Sequence, residues 1–421
     1  MNIVFRNVKS RLSKISLWMA IPALIGSIGL YPQSASALEP NSVASVFNRY
    51  IENKYLANPS VVVIDQLDGA VVYEKGANSP RKPASIQKIF MGVAAVMHLP
   101  MDQVFPTSLW VGTEPNTLVI QGSYDPWIST SSKLAEKMGR TSLPRIEFNS
   151  LKVLKELNPD LDSSFTLFYA SLFTPETEHI KKFFRDKGLN VKMKRVSNQT
   201  ALNSSGTRIL TSESPQLKEI LGYAVAWSDN TLSERIARLT SVAAGNTFDQ
   251  AGVANTFSSA LAELGIESSK MIVKDASGLS KENRVTANQV AQLLVKIRTD
   301  ERFVPLINGL PVSGISGTLR NRFTETAPDA VGLVKAKTGT LNDTTNLAGY
   351  VESGDREYAF VIISDRHTKT YSVARRIRDL VDRILGKIAE PFLPSVPPES
   401  EPVPALELEP ELEIASSEIP L

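Results

Sequence analysis

The chain of 421 residues contains no cysteine. Disulfides, thiolate nucleophiles and thiolate metal sites are therefore excluded. It has only three histidines, His98, His179 and His367, far apart in the sequence. A histidine-rich metal centre is not expected, and any histidine-based triad would have to draw on one of these three. Charge of either sign is in no great excess: 46 Lys and Arg stand against 44 Asp and Glu. Nothing in that balance calls for nucleic acid as a partner. After the first thirty or so residues no apolar run is long enough for a membrane helix. What is present is ordinary globular composition, 42% hydrophobic and 21% charged, with length enough for a sizeable core and more than one domain.

The two ends differ from the middle. Arg6, Lys9, Arg11 and Lys14 form a basic start, an apolar run follows from Ile15 to Leu30, and Ala35-Ser36-Ala37 supplies a small-x-small cleavage site. Residues 1–37 read as a signal peptide cleaved after Ala37, which places the mature protein in the periplasm or another extracytoplasmic compartment of the cell envelope. Residues 390–421 carry eight Glu and no Lys or Arg, with many prolines. They read as a solvated, disordered acidic tail. The body between them is mildly basic, which suits an anionic polymer.

Between those ends the pattern alternates. Helical periodicity runs from Asn41 to Tyr55. Val61–Asp65 and Ala70–Glu74 read as a hairpin around Asp68-Gly69. Ile86–Leu99 is a strongly apolar helix, and Leu109–Gly112 and Thr117–Gly122 are strands. Thr174 is placed as N-cap of a helix with Pro175 at its first position and Gly188 at its end. Pro215 opens another after Ser214. Thr286-Ala287-Asn288-Gln289 is a capping box opening a helix to about Ile297. Three strands follow, Gly332–Thr338, Thr345–Ser353 and Arg356–Ser364, and then a helix from Tyr371 to Ile388. Hairpins and helices in separate runs predict an α+β fold, a sheet with helices on both faces.

Three short motifs carry chemistry. In Ser85-Ile86-Gln87-Lys88 a hydroxyl and an amine stand one helical turn apart on one face. Ser85 at the helix start is near the positive end of the dipole, and a desolvated lysine can serve as its base. Ser79-Pro80-Arg81-Lys82 has the same spacing, but Lys82 precedes Pro83, which disfavours helical geometry there. Ser228-Asp229-Asn230 lies between two helices, where its residues also suit a cap. Lys337-Thr338-Gly339-Thr340 ends a strand. It offers a cation and hydroxyls for a carboxylate, with Gly339 leaving room for a substrate backbone.

In that order the three motifs form the set found in penicillin-binding proteins and serine β-lactamases. The sequence resembles the D-alanyl-D-alanine carboxypeptidase/endopeptidase family, the low-molecular-mass class C penicillin-binding proteins. Pro83–Lys88, Ser214-Pro215, Asp275–Ser280 with Asn283–Thr286, Leu310–Gly314, Gly317–Leu319 and Lys337–Leu341 carry the likeness. It implies a serine β-lactamase/transpeptidase-like domain on residues 38–100 and 206–389. Residues 101–205 would form a single inserted domain, reduced because Ser85 and Ser228 stand only 143 positions apart.

The resemblance also implies roles. Ser85 attacks the penultimate D-alanine carbonyl of peptidoglycan stem peptides, and Lys88 takes its proton. The backbone N–H groups of Ser85 and Thr340 hold the oxyanion. Ser228 relays a proton to the leaving amine, with Lys337 beside it. Asn230 binds the acyl-side amide, and Thr338, Gly339 and Thr340 bind the substrate end. β-Lactams acylate Ser85 by the same route. No metal or organic cofactor is implied. Two other readings remain open at this point: a β-lactamase or esterase of the same fold, and a non-catalytic wall-binding scaffold. Of the remaining residues, His98 is placed at a helix end, His367 on the surface, and Tyr124 and Trp127 in packing.

Overall fold

The computed structural model describes residues 37–159 and 164–389. The expected signal peptide, apart from its last residue, and the expected acidic tail lie outside them. Helix α1 (Pro40–Tyr50) ends five residues earlier than its periodicity predicts. Strands β1 (Ser60–Asp65) and β2 (Val71–Lys75) form the hairpin. Its turn is closed by Gly69 at φ +74° and by Asp68, whose carboxylate accepts the Ala70 N–H. A 3-10 turn over Ala84–Ile86 leads into α2 (Gln87–His98).

Strands β3 (Pro106–Gly112) and β4 (Thr117–Gln121) come next, then helices α3 (Ser132–Met138) and α4 (Leu143–Leu157). They are followed by β5 (Phe165–Ala170), α5 (Thr174–Asp186), β6 (Val191–Arg195), α6 (Asn198–Asn203) and β7 (Ser205–Glu213). Five helices follow in turn: α7 (Leu217–Ala226), α8 (Asn230–Ala243), α9 (Gln250–Glu263), α10 (Ala287–Arg298) and α11 (Val304–Asn308). The chain then runs through β8 (Val334–Leu341), β9 (Thr344–Ser353), β10 (Arg356–Asp365) and α12 (Tyr371–Ala389).

The first sheet has the order β2-β1-β10-β9-β8 and every pairing in it is antiparallel. Its central strands are buried on both faces, which explains why they read as near-continuous apolar runs. Alternate residues go to opposite sides. Val62, Ile64, Ala359, Val361 and Ile363 join one core with α2, α7, α8, α9 and α10. Val61, Val63, Phe360, Ile362 and Leu347 join another with α1 and α12. Helix α2 is buried without a break from Gln87 to Ala95, the mark of a helix inside the core. Gly92 is needed there, because a Cβ would sit 2.4 Å from a Leu306 methyl.

The second sheet has the order β6-β5-β4-β3-β7 and mixes directions. β4 pairs with β5 and β5 with β6 in parallel, while β3 pairs with β4 and β7 antiparallel. Strand β7 belongs to this sheet and runs to Glu213, so the sheet extends beyond the expected boundary at residue 205.

Other local details differ from expectation. Phe173, not Thr174, occupies the N-cap of α5, and Thr174 is its first residue. Helix α7 starts two residues after Pro215, with Gln216 extended at its N-cap, and the Ser214 hydroxyl accepts the Phe105 N–H instead of capping it. The capping box at Thr286 and Gln289 forms as expected.

Candidate active site

Ser85 and Lys88 straddle the entry to α2. Ala84 is in the left-handed region at φ +46°, an unfavourable conformation for a residue with a Cβ. Strain of this kind gathers at functional sites, held by the surrounding structure. The segment is clamped from behind: the Asn346 amide donates to the carbonyls of Lys82 and Pro83, 3.0 Å each. Lys82, the lysine of the rejected serine–lysine pair, is buried and bonded to Asp343 and Asp365. It anchors the first sheet to the residues just before Ser85.

Lys88 is fully buried. Its Nζ lies 3.1 Å from Ser85 Oγ, 2.8 Å from Asn230 Oδ1 and 2.6 Å from the Ser277 carbonyl. Burial pulls its pKa down to about 8, while Asp229, Asp275 and Glu234 pull the other way. Lys337 is buried as well, and its Nζ donates to the Thr338 carbonyl at 3.2 Å. Burial and the positive charge of Lys88 hold Lys337 well below the usual lysine range. The site thus holds two amines below the usual lysine range, one of them against the candidate nucleophile.

Ser228 has φ +60° and stands between α7 and α8. The next N–H, of Asp229, donates to the Ala224 carbonyl, so Ser228 takes the left-handed place that glycine usually fills after a helix. The Asp229 carboxylate accepts the Leu232 N–H and caps α8, as the sequence suggests. Asn230 is the first residue of α8 and reaches Lys88 directly.

Strand β8 is an edge of its sheet. Thr338 Oγ1 lies 2.8 Å from Thr318 Oγ1, and Thr340 is exposed. A Cβ at Gly339 would come within 2.8 Å of the Pro83 carbonyl. Its missing side chain lets β8 lie against the Ser85 segment, a requirement of the fold.

A cleft of about 340 Å³ is lined by Ser85, Ser228, Thr338 and Thr340 from the sequence motifs. Thr318, from the Gly317–Leu319 block, and Arg322, Thr345, Asn346 and Arg378, to which no role was assigned from the sequence, complete the lining. Lys88, Asn230 and Lys337 are tied to the lining residues from within: Lys88 to Ser85, Asn230 to Lys88, and Lys337 to Thr338. Arg322 is paired with Asp382 of α12. Of the three histidines, His98 ends α2. His367 is buried, contrary to expectation. Arg366 at φ +62° turns the chain so that the His367 ring reaches Thr345 Oγ1 at 3.0 Å. Trp127 is a core residue stacked edge-on to Tyr223, and Tyr124 packs on Phe173 and Phe248. Among the described residues no cluster of His, Asp or Glu could hold a metal ion.

A serine hydroxyl, a buried amine as neighbour and a strand edge bearing hydroxyls form the layout of a serine hydrolase that uses lysine in place of histidine. The fold agrees. The structure of penicillin binding protein 4 (dacB) from Haemophilus influenzae superposes with a TM-score of 0.61 at 17% identity, covering 82% of this chain and 98% of that one. In sequence, carboxypeptidase DacB of Mycolicibacterium smegmatis is 27% identical over 82% of this chain and 85% of its own length. The D-alanyl-D-alanine carboxypeptidase of Actinomadura sp. is 35% identical over 42% of this chain and 32% of its own. Residues 170–388 match the D-Ala-D-Ala carboxypeptidase 3 (S13) family, and the chain belongs to that family. It is a serine-type D-Ala-D-Ala carboxypeptidase with the fold of a penicillin-binding protein.

Proposed function

We propose that Ser85 is the acylated nucleophile and that the chain cleaves the terminal D-alanyl-D-alanine bond of peptidoglycan stem peptides from this cleft. The observation that carries this reading is the 3.1 Å approach of Lys88 Nζ to Ser85 Oγ, with the amine held by burial near the range where it can lose its proton. Lys88 takes the Ser85 proton as the oxygen attacks the carbonyl. The backbone N–H groups of Ser85 and Thr340 receive the negative charge. Ser228, which also lines the cleft, relays the proton taken up by Lys88 to the leaving D-alanine amine. The substrate carboxylate takes its place beside Thr338 and Thr340. An arriving carboxylate favours the charged form of Lys337, so substrate binding and protonation of that amine go together. Water then releases the acyl group.

The same cleft takes β-lactams, whose strained amide stands in for the peptide bond and leaves the acyl group on Ser85. The structure of the Haemophilus influenzae protein with a β-lactam bound supports this for a protein of the same fold. The leader-like sequence of residues 1–37 places the enzyme outside the cytoplasm. Leu38, the first residue of the mature chain on this reading, is already tied to the fold through the Ser353 hydroxyl and Tyr358 OH. The residues between Ser85 and Ser228 that build the second sheet form an inserted domain.

Digestion of purified peptidoglycan, with mass analysis of the products, tests the proposal. Wild type is expected to release D-alanine, with conversion of cross-linked dimers to monomers showing endopeptidase action as well. Ser85→Ala is expected to release neither product and to take no label from a fluorescent penicillin. Equal activity in the two proteins removes Ser85 from the mechanism.

A further inference from the structure

Glu234 lies on α8 one turn beyond Asn230, on the same helix face. Its Oε1 accepts the backbone N–H of Ala276 at 2.9 Å and of Ser277 at 2.8 Å. The carbonyl of Ser277 in turn accepts from Lys88 Nζ. The rest of that loop is fixed by other means. Asp275 accepts the N–H groups of Gly278 and Ser280, and Asn283 donates to it. Gly278 at φ +88° packs so closely on the nucleophile segment that a Cβ would lie 1.9 Å from the Ala84 carbonyl. One face of α8 therefore supplies both fixed acceptors of the buried amine, Asn230 directly and the Ser277 carbonyl through Glu234.

This arrangement has a consequence for a base. A neutral lysine has two N–H bonds and one lone pair. If the two N–H bonds are held by Asn230 Oδ1 and the Ser277 carbonyl, the lone pair is left facing the third neighbour, Ser85 Oγ. We propose that Glu234 is a positioning residue for the base: by holding the Ser277 carbonyl against Lys88 it aims the amine lone pair at Ser85. The proposal rests on the reading of Ser85 and Lys88 as nucleophile and base. The groups facing Lys88 are Asp229 and Glu234 from the α7–α8 side, Asp275 from the loop and Lys337 from β8. Glu234 thus also contributes negative charge, and the experiment must separate charge from aim.

The measurement is the second-order rate of acylation by benzylpenicillin between pH 6 and 10 for wild type, Glu234→Gln and Glu234→Ala, with the melting temperature of each. The alanine variant leaves the two N–H groups without an acceptor. It is expected to acylate at least tenfold more slowly, and the loss is expected to persist on the high-pH plateau, where the amine is already neutral. The glutamine variant keeps an acceptor oxygen and loses the charge. Its plateau is expected within about threefold of wild type, with the rising limb moved to lower pH by about half a unit because an anion near Lys88 is gone. If the alanine variant reaches the wild-type plateau, or if glutamine loses as much as alanine, the positioning role is overturned. Should Glu234→Ala fail to fold, Glu234→Asp replaces it. Its carboxylate stops one methylene short, so a plateau several-fold below wild type is expected and an unchanged plateau overturns the proposal. Failure of the underlying reading looks different: Ser85→Ala would then still be acylated.

Discussion

At the scale of single residues the site is governed by the cost of burying amines. Lys88 titrates near 8 because burial disfavours its charged form more than the nearby carboxylates favour it. A base must be unprotonated, so acylation by a β-lactam is expected to rise about tenfold per pH unit up to about pH 8 and to level off above. Rates followed by stopped flow from pH 6 to 9.5 check this, and a flat profile would remove Lys88 as the base. Gly278 makes a second case. Its φ of +88° and its contact with the Ala84 carbonyl leave no place for a side chain. Gly278→Ala is expected to push the loop off the Ser85 segment, cutting acylation at least tenfold and lowering the melting temperature. An active Gly278→Ala enzyme of wild-type stability would show that this loop does not hold the nucleophile.

At the scale of elements, α8 matters most, since its first turns carry Asn230 and Glu234 and its cap is Asp229. Asp229→Ala removes the side chain that accepts the Leu232 N–H and is expected to cost about 1 kcal/mol in urea unfolding. It also removes the largest anionic influence on Lys88, so the rising limb of the acylation profile is expected to move to lower pH. A limb that stays in place would rule out that influence. The serine, lysine and asparagine of the proposed machinery were legible because each sits in a short local motif, and β9 and β10 because their residues alternate between two cores. Strands β5, β6 and β7 were not read. Val191–Arg195 keeps three basic residues in five, and Ser205–Glu213 has no buried position, so neither shows a buried face. Glu234 was missed, and Ser277 within the Asp275–Ser280 block was given no role, for another reason. Their meaning lies in contacts across 43 and 189 positions of chain, which no local pattern records. His367 was misplaced because a single left-handed residue, Arg366, reverses the ring's direction.

At the scale of the whole molecule, α8 also ties the two sheets together. Arg235, two turns from the Asp229 cap, donates to the Pro126 carbonyl and pairs with Glu176 of α5, where the carboxylate is 2% exposed. Burial pushes the Glu176 carboxyl up and Arg235 draws it back down, so the pair offsets the desolvation of each partner. Removing one partner leaves the other buried and unpaired. Arg235→Met is therefore expected to cost about 3 kcal/mol of unfolding free energy. The same change should slow acylation, since Asn230 stands at the start of the loosened helix. Replacing both partners, Arg235→Met with Glu176→Met, leaves no buried charge and is expected to recover most of that stability. Urea unfolding of the four proteins in the cycle measures the coupling directly. If Arg235→Met alone is as stable as wild type, the junction does not depend on this pair. A double variant that regains stability and still acylates slowly would locate the remaining contribution of Arg235 in the orientation of α8 toward Lys88.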